Sequence, residues 1–348
     1  MTREVEVLPK AHLHLHFTGS MRLATLRELA DRHGIRLPGA LLDGWPPSLH
    51  GTDERGWFRF QRLYDAARAC VRGEDDLRRI VREAALDDAA EGSRWLELQI
   101  DPTSYAPFAG GITPVLEIVL DEAGAVSAGR ATGVGVVVAA SRMRHPLEAR
   151  TLARLAARYA GEGPGAVVGF GLSNDERRGS TADFAPAFRI ARRAGLALVP
   201  HGGELLGAQS VMETLQFLEP DRIGHGIRAV EDPQVLDAVA EAGVALEVCP
   251  GSNVALGVVA RPEQVPLRRI LDAGVTVALG ADDPLLFGSR LASQYAAARD
   301  LGLDDAELAE LARGSLRASR APADVRTAAL AGVDAWLADG ADAGRVCP

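Results

Sequence analysis

The sequence predicts an α/β fold, a (β/α)8 TIM barrel with extra helices inserted after the first strand. Three observations support this prediction. Eight short runs of β-branched or apolar residues occur along the chain, and longer segments with a helical hydrophobic period lie between them. No repeat, low-complexity tract or linker divides the 348 residues. Eight strand and helix units are the count of a TIM barrel, so residues 1–348 are expected to form a single domain.

The strand segments alternate with amphipathic segments, several of which end at a glycine just before the next strand. The predicted strands are 10–16, 95–101, 133–140, 166–172, 196–201, 221–225, 243–249 and 274–281. Helical segments between them include 75–91, 146–160, 181–194, 209–218, 230–242 and 264–273.

The gap between the first two strands is too long for one crossover connection. It contains a Pro- and Gly-rich piece, 36–51, and an aromatic stretch, "ERGWFRFQRLYDAARAC". We expect residues 36–72 to form a lid at the barrel mouth, although the aromatic side chains could equally serve only to pack this helix onto the barrel. The side chains concerned are Trp57, Phe58, Phe60 and Tyr64.

Composition favours a globular protein that acts on small molecules. The formal net charge is −9 and the arginines are scattered, so nucleic acid and anionic membrane surfaces are not expected partners. No signal peptide and no apolar stretch of about 18 residues is found, which predicts a cytoplasmic protein. Cys70, Cys249 and Cys347 are far apart without a CxxC pair, so reduced cysteines are expected.

Three histidines alternate in the first strand, in the stretch "PKAHLHLHFTGS" (9–20). Because side chains alternate faces along a strand, His12, His14 and His16 all point into the barrel, and His16 lies nearest the C-terminal mouth. Polar residues also follow other strands, in "HGGE", "RIGHG" and "LGADDP". These residues are His201, Glu204, His225, Asp282 and Asp283.

Neutral imidazoles and a carboxylate form a ligand set suited to a divalent cation, and Zn²⁺ is the usual occupant of nitrogen-rich sites. The predicted ligands are His14, His16, His201 and Asp282. His12 lies one layer deeper and is expected to be structural. The remaining histidines fall outside strand ends and are expected in loops or on the surface: His33, His50 and His145.

The motifs "PKAHLHLHFTGS", "GLSNDE", "HGGE", "RIGHG", "CPGSN" and "LGADDPLLF" occur in this order over residues 9–289. Together they resemble the adenosine deaminase family of the amidohydrolase superfamily. The resemblance implies an enzyme with one zinc ion that hydrolyses the 6-amino group of a purine and releases ammonia. Lys10 is the only lysine and lies at the start of the first strand, so the carbamylated lysine of binuclear relatives has no counterpart. The H-x-E and P-C-x-x-C signature of cytidine deaminases is absent.

The resemblance also implies roles for single residues. Glu204 would protonate purine N1, and His225 would orient or deprotonate the attacking water, although a third histidine ligand is its alternative role. Asp282 would bind the metal and hydrogen-bond the water. Asp283 would contact N7, unless the two carboxylates simply cap the helix that begins at Pro284.

Further family positions bear on substrate binding. Asn174 stands where the family usually has glycine and would contact purine N3, and His16 would border the substrate. The "CPGSN" segment is expected to be structural, with Asn253 holding neighbouring loops; a substrate contact is its alternative.

The clearest departure from the family is Thr18, because adenosine deaminases usually have an aspartate there that accepts the ribose 5′-hydroxyl. Arg22, four residues on, could pair with an anionic 5′ substituent. The favoured substrate is therefore 6-aminodeoxyfutalosine of menaquinone biosynthesis, with adenosine or adenine as alternatives. Another metal-dependent amidohydrolase activity and a catalytically silent binding barrel remain open. A second departure is His12, where the family tends to have glutamate.

Overall fold

The eight predicted strands are all present and form one parallel sheet in chain order. The computed structural model describes residues 3–43 and 45–338. Each strand pairs with the next one along the chain. The barrel closes where the His16 amide donates to the Asp282 carbonyl and the Asp282 amide donates to the His14 carbonyl, both at 3.0 Å. The strands are β1 (Lys10–His16), β2 (Ser93–Ile100), β3 (Gly133–Ser141), β4 (Val167–Ser173), β5 (Ala197–Gly202), β6 (Arg222–His225), β7 (Ala245–Val248) and β8 (Val277–Leu279).

Helices surround this barrel, and each of the six predicted helical segments is observed with ends shifted by a few residues. The helices of the described residues are α1 (Leu23–His33), α2 (Glu54–Arg68), α3 (Glu74–Ala90), α4 (Ala106–Ala109), α5 (Ile112–Ser127), α6 (Pro146–Arg158), α7 (Thr181–Arg193), α8 (Ala208–Leu218), α9 (Pro233–Glu241), α10 (Pro250–Ala255), α11 (Leu267–Asp272), α12 (Pro284–Phe287), α13 (Leu291–Asp300), α14 (Asp305–Ala318) and α15 (Ala323–Ala338).

The strands are buried on both faces because side chains fill the barrel and helices cover its outside. Strand β3, "GVGVVVAAS", shows the consequence: it is a nearly continuous apolar run, and all but its two end residues are buried. The covering helices begin at local sequence signals. Asp232 accepts from the Gln234 amide ahead of Pro233 in α9, and Asp304 and Glu307 form a capping box at the start of α14.

The insertion between β1 and β2 both packs on the barrel and borders its mouth. Trp57 and Phe60 of α2 are buried, and the Phe60 ring stacks on Phe287 with centroids 5.8 Å apart. Phe58, in contrast, is 63% exposed and, with Tyr64, lines the cavity at the mouth. Residues of α2 therefore pack on the barrel and border its mouth, while the role of residues 36–72 as a lid stays a prediction.

His12 has the structural role predicted for it. Its Nδ1 lies 2.7 Å from Asp88 Oδ1 of α3, and its Nε2 accepts from the Ala281 amide at 3.0 Å, so one imidazole joins a covering helix to the end of β8. The other three predicted non-site histidines lie away from strand ends. His33 ends α1 beside Asp76, while His50 and His145 are exposed.

Cys70 and Cys249 are free and buried, as expected for reduced cysteines, and Cys347 lies outside the described residues. Among the helices described, none is both long enough and apolar enough to cross a membrane.

Candidate active site

A cavity of about 510 Å³ opens at the C-terminal mouth of the barrel. Its wall contains most of the predicted site residues, although they come from widely separated parts of the chain. This follows from the fold, because the carboxyl ends of all eight parallel strands meet at one end of the barrel. The predicted residues that line the cavity are His16, Asn174, His201, Glu204, His225, Asp282 and Asp283.

The four predicted metal ligands lie close together, and three of them, His16, His201 and Asp282, line the cavity. The Nε2 atoms of His16 and His201 are 3.2 Å apart, and Asp282 Oδ1 lies 3.2 Å from His16 Nε2 and 3.7 Å from His14 Nε2. Among the described residues, buried His14 Nε2 has no hydrogen-bond partner. Ring nitrogens facing one another around a carboxylate are the donor set of a divalent cation. These four residues could therefore hold one metal ion.

The protonation states suit metal binding. Burial, together with the neighbouring imidazoles, lowers the pKa of His201 well below its usual range, so this ring is neutral with a free lone pair. Burial opposes ionisation of Asp282, but the His16 hydrogen bond and nearby imidazoles hold its pKa well below the usual value. Neutral imidazole and ionised carboxylate are the ligand forms. Burial likewise opposes the charged form of His16, but Asp283 and Asp282 raise its pKa to about 9. Metal binding therefore has to displace a proton from this ligand.

A buried ion-pair network beneath the ligands orients His14, and the sequence analysis missed it. His14 Nδ1 lies 2.8 Å from Glu247 Oε2, which fixes Nδ1 as the donor and directs the Nε2 lone pair into the site. Arg222 bridges Glu247 and Glu97 at 2.7 and 2.5 Å, and all three side chains are at most 1% exposed. Arg222 in β6 and Glu247 in β7 are charged residues within short buried strands, and this pattern was a signal that could have been used.

Two further buried carboxyl groups, Glu204 and Asp283, border the cavity. Burial and the Asp282 charge raise the pKa of Glu204 well above its usual range, and the same two causes raise that of Asp283. Glu204 Oε1 lies 3.6 Å from His225 Nε2. Asp283 Oδ1 has no partner among the described residues, and its side chain does not cap α12. The helix-capping alternative therefore does not apply to Asp283, and both groups are available as hydrogen-bond donors.

His225 lies between the acid and the other histidines. Its Nε2 is 3.6 Å from Glu204 Oε1, and its ring centroid is 4.8 Å from that of His14 and 5.1 Å from that of His201. Burial, followed by the His14 charge, lowers the pKa of His225 to about 3. Its imidazole is therefore neutral at neutral pH and can accept a proton.

Three residues at the mouth hold a left-handed backbone conformation that is uncommon for residues other than glycine. The φ angles are 64° at His225, 60° at Asp282 and 79° at Asn174. Such strained positions cluster at functional sites, where surrounding structure fixes them. Asparagine tolerates the left-handed region better than most residues do. This explains how Asn174 can stand where the adenosine deaminase family usually has glycine.

Close approach of the elements requires glycine at two positions. A Cβ atom on Gly224 would lie 2.8 Å from His14 Cε1 and 3.1 Å from His201 Nδ1. A Cβ atom on Gly19 would lie 1.8 Å from Asp283 Oδ1. Side chains at these positions would occupy the space that the ligands and Asp283 need.

Thr18 and Arg22, the two predicted contacts to the 5′ side of the substrate, do not line the cavity. Thr18 is buried and does not line the cavity, because its hydroxyl is 2.5 Å from the Tyr105 hydroxyl, and Tyr105 forms the wall at this point. Arg22 binds Asp87 with its Nη2 2.6 Å from Oδ1, and it too is absent from the cavity wall. Arg22 immediately precedes α1, and its side chain reaches Asp87 of α3.

The cavity wall also contains polar residues that were not predicted, among them Gln99 and Asp101. Gln99 is in register with His16, is 1% exposed, and has no partner for either amide atom among the described residues. Asp101, two residues further, accepts from the Thr103 amide. The predicted alternative contact, Asn253, is buried outside the cavity wall. Its backbone carbonyl accepts from the Val259 amide, while neither atom of its side-chain amide has a partner among the described residues, so its role in holding neighbouring loops stays a prediction.

The barrel, with imidazole and carboxylate groups at its C-terminal mouth, is the arrangement of the amidohydrolase superfamily. The adenosine deaminase family model matches residues 9–336, so the chain belongs to the adenosine deaminase family. It is 62% identical over 336 residues to a Streptomyces virginiae protein whose name assigns it provisionally to adenosine/adenine deaminases; the match covers 96% of this chain and 98% of that protein. An adenine deaminase of Agrobacterium fabrum is 36% identical, with 89% of this chain and 93% of the relative covered.

A solved structure agrees with these relatives. The crystal structure of adenine deaminase from Arthrobacter aurescens superposes with a TM-score of 0.84 at 28% identity, covering 94% of this chain and 99% of that one. The fold predicted from the sequence is thereby confirmed, and so is the predicted family.

Proposed function

We propose that this protein hydrolyses the 6-amino group of a purine, with adenine as the favoured substrate, and releases ammonia. The observation that carries the proposal is a pair of buried carboxyl groups, Glu204 and Asp283, that line one cavity together with histidine side chains. The pKa values of both carboxyl groups are raised. Purine N1 and N7 are hydrogen-bond acceptors. Two protonated carboxyl groups are therefore the complementary donors for the two edges that flank C6.

Each group has a role in the reaction. Addition of an oxygen nucleophile to C6 places negative charge on the ring, and Glu204 is placed to neutralise it by protonating N1. Neutral His225, whose Nε2 lies 4.0 Å from Asp282 Oδ2, is placed to accept the proton of the attacking water. Asp283 would donate to N7 and fix the ring orientation. Asn174 would border the N3 edge.

We assign one zinc ion to His14, His16, His201 and Asp282, because neutral imidazoles with one carboxylate are the donors that Zn²⁺ prefers. When bound, this ion lowers the pKa of a water from about 15.7 toward 7 and so supplies the nucleophile at neutral pH.

Adenine is favoured over nucleosides by the ribose side of the cavity. Thr18 replaces the aspartate that would accept a 5′-hydroxyl, and it is covered by Tyr105. Relatives named adenine deaminase agree with this choice. The cavity volume of about 510 Å³ favours adenosine as a second candidate, since it exceeds what a free base needs. Because Arg22 is paired with Asp87, the structure offers 6-aminodeoxyfutalosine less support than the two alternatives.

The test is a comparison of adenine, adenosine and 6-aminodeoxyfutalosine as substrates, followed by ultraviolet absorbance and ammonia release. Wild type should turn over adenine best with one metal per chain by elemental analysis. Glu204→Gln should keep the metal and lower kcat by roughly 10²- to 10⁴-fold. Glu122→Gln is the matched control, because Glu122 is also buried but pairs with Arg82 on α3, away from the cavity.

Retention of more than about a tenth of kcat by metal-loaded Glu204→Gln would show that the proton comes from another group. Two metals per chain at full activity would overturn the single-zinc assignment. Best turnover of adenosine or 6-aminodeoxyfutalosine would replace adenine as the substrate and leave the reaction unchanged.

A further inference from the structure

The side chain of Glu176 gathers an unusual number of hydrogen bonds from one short loop. Its two oxygens accept from four consecutive backbone amides, those of residues 203–206, at distances of 2.5, 3.1, 2.7 and 2.9 Å. The Ser210 hydroxyl at the start of α8 also donates to it. Glu176 is the last residue of the "GLSNDE" segment, in the connection after β4. Its carboxylate therefore fixes a loop of a different connection, the one that follows β5.

This loop carries the proposed acid. Residues 203–206 connect β5 to α8, and Glu204 is the second of them. Glu176 and Glu204 are 4% and 5% exposed. Without the carboxylate, four amides, three of them buried, would lose their acceptor. Consecutive N–H groups around one anion form the concave arrangement called a nest.

Glu176 has no role as an ordinary ion pair. Among the described residues, no lysine, arginine or histidine lies within salt-bridge distance of it, and it is absent from the cavity wall. Neighbouring Asp175, in contrast, pairs with Arg177 at 2.8 Å. The direct hydrogen-bond partners of Glu176 are the loop amides and Ser210, so the position of the loop depends directly on this side chain.

We propose that Glu176 is a positioning residue that holds Glu204 at the purine N1 site through the backbone of residues 203–206. The inference rests on the proposed function, because it assigns Glu176 an effect on the proton donor of that reaction. A Gln side chain at position 176 would keep one oxygen and turn an NH₂ donor toward amides that also donate. The loop would then shift, and a misplacement of about 1 Å in a reacting group can cost around 10²-fold in rate.

The experiment is a double-mutant cycle on the metal-loaded protein, with adenine as the probe substrate. Glu176→Gln should lower kcat at least about tenfold while the KM for adenine and the metal content change less than about threefold. In the Glu204→Gln background the same substitution should change kcat by less than about twofold, since the group it positions is already disabled. A purely structural role would lower kcat by the same factor in both backgrounds.

Hydrogen exchange supplies a readout that does not depend on activity. Amides of residues 203–206 should exchange at least about tenfold faster in Glu176→Gln, while those of β1 and β8 keep their wild-type rates. Glu122→Gln should leave both sets unchanged. If Glu176→Gln does not fold, Glu176→Asp, which keeps the charge but withdraws the carboxylate by one methylene, takes its place in the same cycle.

The outcomes separate the two proposals. A wild-type protein that deaminates no 6-aminopurine sinks the proposed function. The positioning role alone would be overturned by two results obtained with an active wild type whose kcat falls in Glu204→Gln. One is a wild-type kcat in Glu176→Gln. The other is an equal loss of kcat from Glu176→Gln in the wild-type and the Glu204→Gln backgrounds. Unchanged exchange of residues 203–206 would overturn it as well.

Discussion

His14 Nδ1 lies 2.8 Å from Glu247 Oε2, and the other oxygen of Glu247 accepts from Arg222 Nε at 2.7 Å. Burial raises the pKa of Glu247, but Arg222 and His14 more than offset this and hold the pKa below its usual value. An ionised carboxylate therefore accepts the Nδ1 proton at neutral pH. The imidazole consequently presents its Nε2 lone pair to the metal site.

Glu247→Gln should weaken metal binding by about 10- to 100-fold, the usual effect of losing such an outer partner. The Gln amide can direct an NH₂ group at Nδ1 and so move the His14 proton to Nε2, where it blocks coordination. Competition with a chelator measures the affinity. Equal metal affinity in wild type and Glu247→Gln would show that this carboxylate does not control the His14 tautomer.

Gly19→Ala should disable the substrate site while leaving most of the fold intact. The added Cβ would lie 1.8 Å from Asp283 Oδ1 and 2.6 Å from Asp283 Cα, an overlap with backbone that side-chain rotation cannot relieve. We expect kcat/KM for adenine to fall at least about tenfold because Asp283 must shift. Gly73→Ala is the control, since a Cβ there meets nothing within 4 Å. Equal activity of the two variants would contradict the packing argument.

Arg22→Ala should leave catalysis unchanged. Arg22 pairs with Asp87 outside the cavity, and its side chain is 42% exposed. Exposed ion pairs of this kind contribute about 0–1 kcal/mol, so urea unfolding should change by no more than that. Steady-state kinetics with adenine and with 6-aminodeoxyfutalosine should stay within about twofold of wild type. A selective rise in KM for the anionic substrate would instead restore the prediction made from the sequence.

Lys10 should make stability depend on pH. It is buried at the start of β1, where its Nζ donates to the carbonyls of Val5 and Glu91. Burial lowers its pKa from 10.5 to about 7, an effect that Asp88 and Glu91 offset in part. Between these two values the unfolded chain binds a proton that the folded chain does not. Stability must therefore rise with pH across this window, and this contribution becomes constant below about pH 7.

The comparison variant is Lys10→Met, which cannot titrate. Unfolding in urea at about pH 6, 7, 8 and 9 gives the difference in free energy between wild type and variant, and other titrating groups cancel in it. Between about pH 7 and 9 the difference should move in favour of wild type, by at most about 1.4 kcal/mol per pH unit. A constant difference over this range would mean that Lys10 keeps an ordinary pKa.

The sequence by itself determined the barrel and the approximate positions of its eight strands. The spacing of hydrophobic residues indicates which positions are buried. Because this spacing has a period of about 2 in strands and about 3.6 in helices, it separates strand segments from helical segments. The family motifs and their order were also readable directly. Because parallel strands carry their carboxyl ends to one mouth, His16, His201 and Asp282 could be placed together without knowledge of any distance.

Only the tertiary structure decided which side chains meet between elements distant in the chain. Periodicity says that a side chain faces inward or outward, but the partner it meets depends on strand register, helix position and loop path. Glu247 reaches His14 from 233 residues away for this reason. Thr18 is covered by Tyr105 from another crossover, and Arg22 turns toward α3, because the connections around β1 and β2 set those directions.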